Sequence, residues 1–153
     1  MSSRIHAVRL TRVAAAICAL IAMPLFAQDI GQIKTAQGSI TVERGDQKIA
    51  AQPGFRLRQS DVVHTGANST VGIIFADNTI MSAGPNSTLD LERFEFNSTT
   101  HDGRFIAKVH KGTLSVISGK MAKQSPQAMT VRTPATVLGV RGTEFFVKVD
   151  PTL

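Results

Sequence analysis

The sequence predicts an all-β protein, and three observations support this class. Apolar residues alternate with polar ones along most of the chain after residue 28. Turn-forming residues interrupt these runs at intervals of about ten residues, as in β-sandwiches and related folds. No stretch of about a dozen residues in this part keeps apolar side chains at helical spacing without a Gly, a Pro or a β-branched residue. We expect a single domain with little helix, built as a short-stranded β-roll or β-solenoid, or as a β-sandwich.

The first 27 residues have the layout of a secretory signal peptide. Three arginines and no acidic residue precede the almost wholly apolar segment 13–27, and the polar pair Gln28 and Asp29 follows. A membrane-spanning helix needs about 20 apolar residues, so a permanent anchor is the weaker interpretation. We expect cleavage after Ala27, and export to the periplasm or secretion from the cell. The folded domain is then residues 28–153, with no transmembrane segment.

Charge and cysteine content limit the function classes. The only cysteine is Cys18, so the domain is expected to fold without disulfides. Three of the 17 basic residues lie in the leader, which leaves 14 basic against 11 acidic residues, a net charge of +3. Residues 101–153 hold 8 of these basic residues and 3 of the acidic ones, so the excess of positive charge lies in this part of the chain. This basic C-terminal half, around Lys108, Lys111 and Arg132, is a candidate site for an anionic ligand.

The strands and turns follow one another regularly. Period-two alternation is clearest in five segments, 40–42, 71–75, 89–91, 105–109 and 114–116. Turn formers stand between them at 44–46, 52–55, 65–66, 76–78, 84–86, 101–103 and 118–119. Segment 119–130 lacks alternation and contains Pro126, so we expect a flexible surface loop there.

Two weak internal repeats bear on the architecture. Segment 38–45 resembles 112–119, each a short strand that ends at a glycine. Segment 68–73 resembles 86–91 at an offset of 18 residues, and each copy begins with an Asn-Ser pair. Successive coils of a solenoid produce such an offset, but so do turn-strand units in a meander. The repeats slightly favour a roll or solenoid over a sandwich.

The chain shows no pattern of residues typical of catalysis or of cofactor binding. His64, His101 and His110 are not at metal-ligand spacing, and the domain has no cysteine and no Gly-x-Ser-x-Gly elbow. The eight Phe are expected in the core, and without Tyr or Trp the chain lacks the usual stacking residues of nucleic-acid binders. We expect no enzyme activity, metal, cofactor or nucleic acid.

Arg141 is a conspicuous residue because it stands between glycines 139 and 142 and is flanked by apolar segments. A partly buried guanidinium needs an acceptor, and Asp61 or Asp77 could supply one. We favour this structural role over a role in ligand binding. Arg141→Lys would then lower the thermal midpoint, because lysine lacks the planar fork.

Residues 38–149 resemble the FecR domain family. The resemblance rests on a glycine-led strand, an Asp turn, a Thr-Gly turn and a terminal Val-Arg-Gly-Thr segment. The residues that carry it as structural or interaction candidates are Asp61, Thr65, Gly66, Asp77, Thr133, Pro134, Gly139, Arg141, Gly142 and Thr143. Ser60 and Asn78 depart from the family pattern, so those two turns are expected to differ locally.

The resemblance implies a domain of the bacterial envelope. In the namesake regulators, this domain is joined through a membrane helix to a segment that contacts a sigma factor. Neither part is expected here, since only 12 residues precede the apolar segment. We expect a non-enzymatic protein-interaction or sensory accessory module with an envelope protein as partner. The alternative is a module that binds a small ligand or a surface polysaccharide.

Overall fold

A computed structural model describes residues 28–140 and 143–150. This part of the chain forms twelve strands and one short helix. The strands are β1 (Asp29–Gln37), β2 (Ile40–Arg44), β3 (Gln47–Ala50), β4 (Arg56–Arg58), β5 (Val62–Thr65), β6 (Thr70–Phe75), β7 (Ile80–Ala83), β8 (Thr88–Phe96), β9 (Gly103–Ile117), β10 (Met129–Arg132), β11 (Val137–Gly139) and β12 (Glu144–Val149). The helix α1 spans Lys120–Gln124.

The centre of the fold is a curled sheet made of four long, bent strands. In one half, which we call the front arm, β1, β6, β7 and the C-terminal part of β9 are antiparallel neighbours. In the other half, the back arm, β2, β5, β8 and the N-terminal part of β9 are neighbours in the same order. The chain passes between the arms at four corners, 38–39, 66–69, 84–87 and 111–112. The fold is therefore a bent antiparallel meander.

Further strands extend both sides of this meander. On one side, β4 pairs with β1 in the front arm and β3 pairs with β2 in the back arm. On the other side, β12 pairs with the C-terminal part of β9, while β10 runs parallel to its N-terminal part and forms a hairpin with β11. In the described residues, β11 and β12 each pair with one strand only, and they form the C-terminal edge of the sheet.

The two arms enclose one hydrophobic core. Alternate residues of each strand point inward, as Val71 and Ile73 of the front arm and Leu89 and Leu91 of the back arm show. Three phenylalanines meet at the end of the core with ring centroids 4.6 to 5.7 Å apart, namely Phe75, Phe94 and Phe105. Burial of apolar surface at about 25 cal/mol per Å² is the main stabilising term for such a core.

The structure confirms the all-β class and the single domain, and the curled sheet has the form of a roll. The 18-residue offset does not come from stacked solenoid coils. It separates two adjacent corners of the antiparallel meander, at Asn68 and Asn86, where the backbone φ angles are 57° and 52°. Asparagine tolerates this left-handed conformation better than most residues, which explains the repeated Asn.

Two expectations were wrong. Segment 119–130 is not a flexible surface loop, because α1 buries Met121 and Ala122, and Met129 already belongs to β10. Its apolar residues are too few and too widely spaced to show a period, yet they fill the core. The phenylalanines are not all core residues either, since Phe146 on β12 is 66% exposed.

Candidate functional site

The residues that carry the family resemblance fall into two structural groups. Asp61, Thr65 and Asp77 are buried polar residues of the curled sheet. By contrast, Pro134, Gly139 and Thr143 lie exposed on or beside the C-terminal edge, and Thr133 is half-buried. The first group explains how the fold holds together, and the second group is available for binding.

Asp61 has no exposed surface and holds Arg44 in a bidentate ion pair. Its Oδ1 accepts a hydrogen bond of 2.8 Å from Nε of Arg44, and its Oδ2 accepts one of 2.7 Å from a terminal guanidinium nitrogen. The backbone N–H of Arg58 donates to the same Oδ2 at 2.8 Å. The hydrogen bond to Asp61 raises the pKa of Arg44 above its ordinary value. The pair joins the end of β2 to the start of β5.

The corners of the meander are joined in pairs by two buried serines. Ser69 accepts a hydrogen bond of 2.9 Å from the backbone N–H of Ser39, and Ser87 accepts one of 3.0 Å from that of Thr113. Before each N–H stands a glycine with positive φ, 76° at Gly38 and 95° at Gly112. A side chain at either glycine would overlap the facing serine. One sequence repeat therefore supplies the glycine of this contact and the other supplies the serine. The contact occurs twice, between Gly38 and Ser69 and between Gly112 and Ser87.

Thr65 and Gly66 link the second corner to the neighbouring ones. The Thr65 hydroxyl donates to the backbone carbonyl of Gly84 at 2.6 Å and accepts from the N–H of Ser87 at 2.8 Å. Gly66 donates its N–H to the carbonyl of Ser39 at 2.9 Å. A Cβ at Gly66 would come within 3.3 Å of Ser39, so the two corners are in close contact there as well. The Thr-Gly motif thus has a structural role.

Asp77 organises the opposite end of the front arm. Its carboxylate accepts hydrogen bonds from the backbone N–H of Thr79 at 3.0 Å and from the Thr79 hydroxyl at 2.7 Å. The same hydroxyl accepts from the N–H of Gly119 at 3.1 Å, and the carbonyl of Asp77 accepts from Lys120 at 2.7 Å. These bonds attach the beginning of α1 to the turn between β6 and β7.

Arg141 and Gly142 lie outside the described residues. One of the two acceptors expected for Arg141 is engaged elsewhere, because Arg44 occupies both carboxylate oxygens of Asp61. A partnership of Arg141 with Asp77 stays a prediction. Thr143 accepts a backbone hydrogen bond of 2.8 Å from Ser118 and is itself exposed.

Thr133 and Pro134 of the exposed group line a cleft at the C-terminal edge, which we call the C-terminal cleft. The turn 133–136 connects β10 to β11 and forms one wall, and residues 146–150 form the other. The cleft has a volume of about 440 Å³, and Leu138 and Phe146 contribute apolar surface to it. The Thr133 hydroxyl accepts hydrogen bonds from the N–H groups of Ala135 and Thr136, which shapes the turn.

Among the edge strands that the structure describes, β11 is the least protected, whereas β12 carries Glu144 and Lys148. On the opposite side, β3 carries Lys48 and the three-residue strand β4 carries Arg56 and Arg58, and such charges discourage pairing with another strand. By contrast, β11 consists of Val137, Leu138 and Gly139. Val137 is 64% exposed. A peptide could approach this uncharged strand without displacing an ion pair.

The three histidines of the domain, at positions 64, 101 and 110, are half-buried or exposed. His64 contacts Glu43 at 3.2 Å, and His110 lies 3.7 Å from Asp90, both as surface pairs. Within residues 28–140 and 143–150, no three His, Cys, Asp or Glu side chains come close enough to hold a metal ion. No helix among the described residues is long and apolar enough to cross a membrane.

The basic C-terminal half is partly balanced by acidic neighbours. Arg132 forms an ion pair with Glu92 at 3.0 Å. Lys108 lies between Asp90 and Arg132 in the strand register. Acidic residues of β8 therefore lie beside basic residues on this surface of the back arm, which weakens the case for an anionic ligand.

Residues 61–152 match the model of the FecR protein family. The chain belongs to the FecR family. The matched segment contains both the buried group around Asp61 and the whole C-terminal edge, and the preceding strands β1–β4 complete the two arms. No curated protein and no solved structure matches the chain significantly. FecR proteins are non-enzymatic regulators that act in signalling at the cell envelope.

Sequence reasoning missed several residues that hold this FecR domain together. In the sequence, Arg44 stands in the turn at 44–46, and Ser69 and Ser87 stand at the start of the two copies of the second repeat. Thr79 follows Asn78, in the turn that departs from the family pattern. The repeat itself could have identified the serines, because each Asn-Ser pair faces a strand segment that begins after a glycine.

Proposed function

We propose that this FecR protein is a non-enzymatic accessory module of envelope signalling that binds another envelope protein at its C-terminal edge. We also propose that residues 1–27 are a signal peptide and that the domain works in the periplasm. The observation that carries the binding proposal is the exposure of Val137 and Phe146, at 64% and 66%, on two strands with free edges.

Three features of the C-terminal edge support a protein as the ligand. Exposed aliphatic and aromatic side chains are typical anchors of protein interfaces. The free edge of β11 offers backbone N–H and C=O groups to an extended peptide, which is a common mode of peptide recognition. The adjacent C-terminal cleft, of about 440 Å³, could accept a side chain of that peptide.

Binding of a small ligand or a polysaccharide is the second candidate, and the hydroxyl groups of the cleft favour it. Thr133 and Thr136 line the cleft together with Lys148 and Asp150. The described residues of the cleft include no Tyr or Trp on which a sugar could stack. The protein ligand is therefore the stronger proposal.

Site-specific photo-cross-linking in intact cells tests the proposal. A photoreactive amino acid is placed at Val137 or Phe146, and at Ile49 on the opposite edge as the matched control. We expect one defined envelope protein to be captured through positions 137 and 146 but not through 49. The substitutions Val137→Ser and Phe146→Ser should abolish the capture from a probe at Thr136 and leave the thermal midpoint unchanged.

Two results would count against this function. Equal capture through all three positions would mean that the contact is nonspecific. No capture through 137 and 146, combined with a rise in thermal midpoint when a soluble envelope glycan is added, would favour the second candidate.

A further inference from the structure

The outward surface of the front arm carries a ridge and a trough that run side by side across the strands. The ridge consists of Ile74, Ile80 and Ile117, which are register partners on β6, β7 and β9. The trough lies two residues away along each strand and consists of Gly72, Ser82 and Ser115. Three strands thus present the same step from a branched apolar side chain to a small one.

The ridge is exposed and the trough is shallow. Ile80 and Ile117 are 39% and 44% exposed, although both are large apolar residues. The hydroxyl of Thr35 on β1 lies where a side chain at Gly72 would be, so only glycine leaves this surface flat. A hollow of about 300 Å³ extends along the trough, and Phe146 of β12 closes one end of it.

The two arms differ sharply in the charge of their outward surfaces. On β6, β7 and the C-terminal part of β9, the residues of the front arm include no ionisable side chain. The strands that flank this part carry Lys34 on β1 and Glu144 and Lys148 on β12. In the back arm, by contrast, Asp90, Glu92 and Lys108 lie on the central strands β8 and β9. The centre of the front surface can therefore be covered without desolvating charges, and its charged residues lie at the rim.

The ridge and the trough are complementary to each other, so the surface is complementary to itself. They lie about 7 Å apart along the strands, since two residues of a strand span that distance. A twofold axis that runs between them, parallel to both, places the ridge of one copy over the trough of the other. Ile80 then faces Ser82, and Ile74 faces Gly72. Contacts of this reciprocal kind define an isologous dimer interface.

We propose that the front arm is a self-association surface on which two copies of this chain pack face to face. Five strands, spaced about 4.8 Å apart and contributing about five residues each, form a surface of roughly 400 Å² in each copy. Two copies would together bury on the order of 1,000 Å² of accessible surface. That area is the lower limit for a specific interface. The dimer is therefore reversible and forms at high local concentration. It leaves Val137 and the edge of β11 free but covers the surface beside Phe146, so only the contact at Val137 is independent of the binding proposed above.

Sedimentation velocity across a wide concentration range tests the dimer. The full chain is produced in bacteria with its leader, so that any processing takes place in the cell. We expect a shift from monomer to dimer as concentration rises. Ser82→Arg places a charge in the middle of the trough, and it should weaken self-association at least tenfold. Thr41→Arg, on the outward surface of the back arm, is the matched control and should leave self-association unchanged.

A charge-swap experiment keeps the test independent of folding defects. Ser82→Arg and Ser82→Glu should each be monomeric, and an equimolar mixture of the two should recover a dimer, because the two long side chains then carry opposite charges on either side of the axis and can reach each other. A wild-type protein that stays monomeric at every concentration would overturn the proposal. So would a dimer that Ser82→Arg does not weaken, or a mixture that stays monomeric.

Discussion

The buried carboxylate of Asp61 holds the guanidinium group of Arg44 through two hydrogen bonds, of 2.8 and 2.7 Å. The two residues are 17 positions apart and join the end of β2 to the start of β5. The aromatic ring of Phe55 lies 5.4 Å from the guanidinium carbon, and the carbonyl of Arg56 accepts a third hydrogen bond at 3.0 Å. Arg44 is thus surrounded by partners while Asp61 is wholly enclosed.

Replacement of Asp61 by Ala should destabilise the domain strongly. Loss of one partner of a buried ion pair costs about 3–5 kcal/mol, because the other partner keeps its desolvation cost. Urea denaturation measures the change in the free energy of unfolding. Glu95→Ala is the control, since its pair with Arg93 is largely exposed and such pairs contribute about 1 kcal/mol or less. Equal effects of the two substitutions would contradict the structural role of Asp61.

Gly112→Ala should be far more damaging than Gly45→Ala. Both glycines have positive φ, 95° and 58°, so each substitution carries a backbone cost of about 1–2 kcal/mol. At Gly112 the added methyl would also overlap the backbone and side chain of Ser87, whereas at Gly45 it would meet nothing within 4 Å. The thermal midpoints of the two variants measure the difference. Similar midpoints would show that the corner at Gly112 can move away from Ser87 and make room for the methyl group.

Ser69→Ala and Ser87→Ala should produce losses of similar size. Each variant removes the acceptor of one backbone N–H, that of Ser39 or that of Thr113, from a part-buried hydrogen bond. A typical hydrogen bond contributes about 0.5–1.5 kcal/mol. Chemical denaturation gives the loss, and Ser98→Ala in an exposed turn serves as the control. If one serine proved dispensable and the other essential, the two corners would not be equivalent.

Thr79→Val should release helix α1 from the front arm, whereas Thr79→Ser should not. Valine keeps the shape of threonine but lacks the hydroxyl that accepts from Gly119 and donates to Asp77. We expect a loss of about 1–3 kcal/mol for Val. Hydrogen exchange of the Gly119 and Lys120 amides reports on the local effect. Unchanged protection of these amides in the Val variant would mean that packing of Met121 alone holds the helix.

The sequence by itself determined the class of fold and the positions of four of the twelve described strands, β2, β6, β8 and β9. Period-two alternation, as in 71–75 and 105–109, reflects which side chains face the core, and that property is local to each strand. The resemblance to the FecR family also followed from local motifs, and the family match confirms it. The helix α1 escaped prediction because its two buried residues, Met121 and Ala122, are adjacent and show no period.

Only the tertiary structure decided which polar groups meet. The sequence suggested Asp61 or Asp77 as the acceptor for Arg141, and the register of β2 against β5 brings Arg44 to the Asp61 carboxylate. Likewise, the repeats revealed turns but not that Ser69 and Ser87 bind the backbone of the facing corner, 30 and 26 residues away. A hydrogen bond acts over about 3 Å, so its partner depends on how distant segments pack. Alternation along one strand carries no information about that packing.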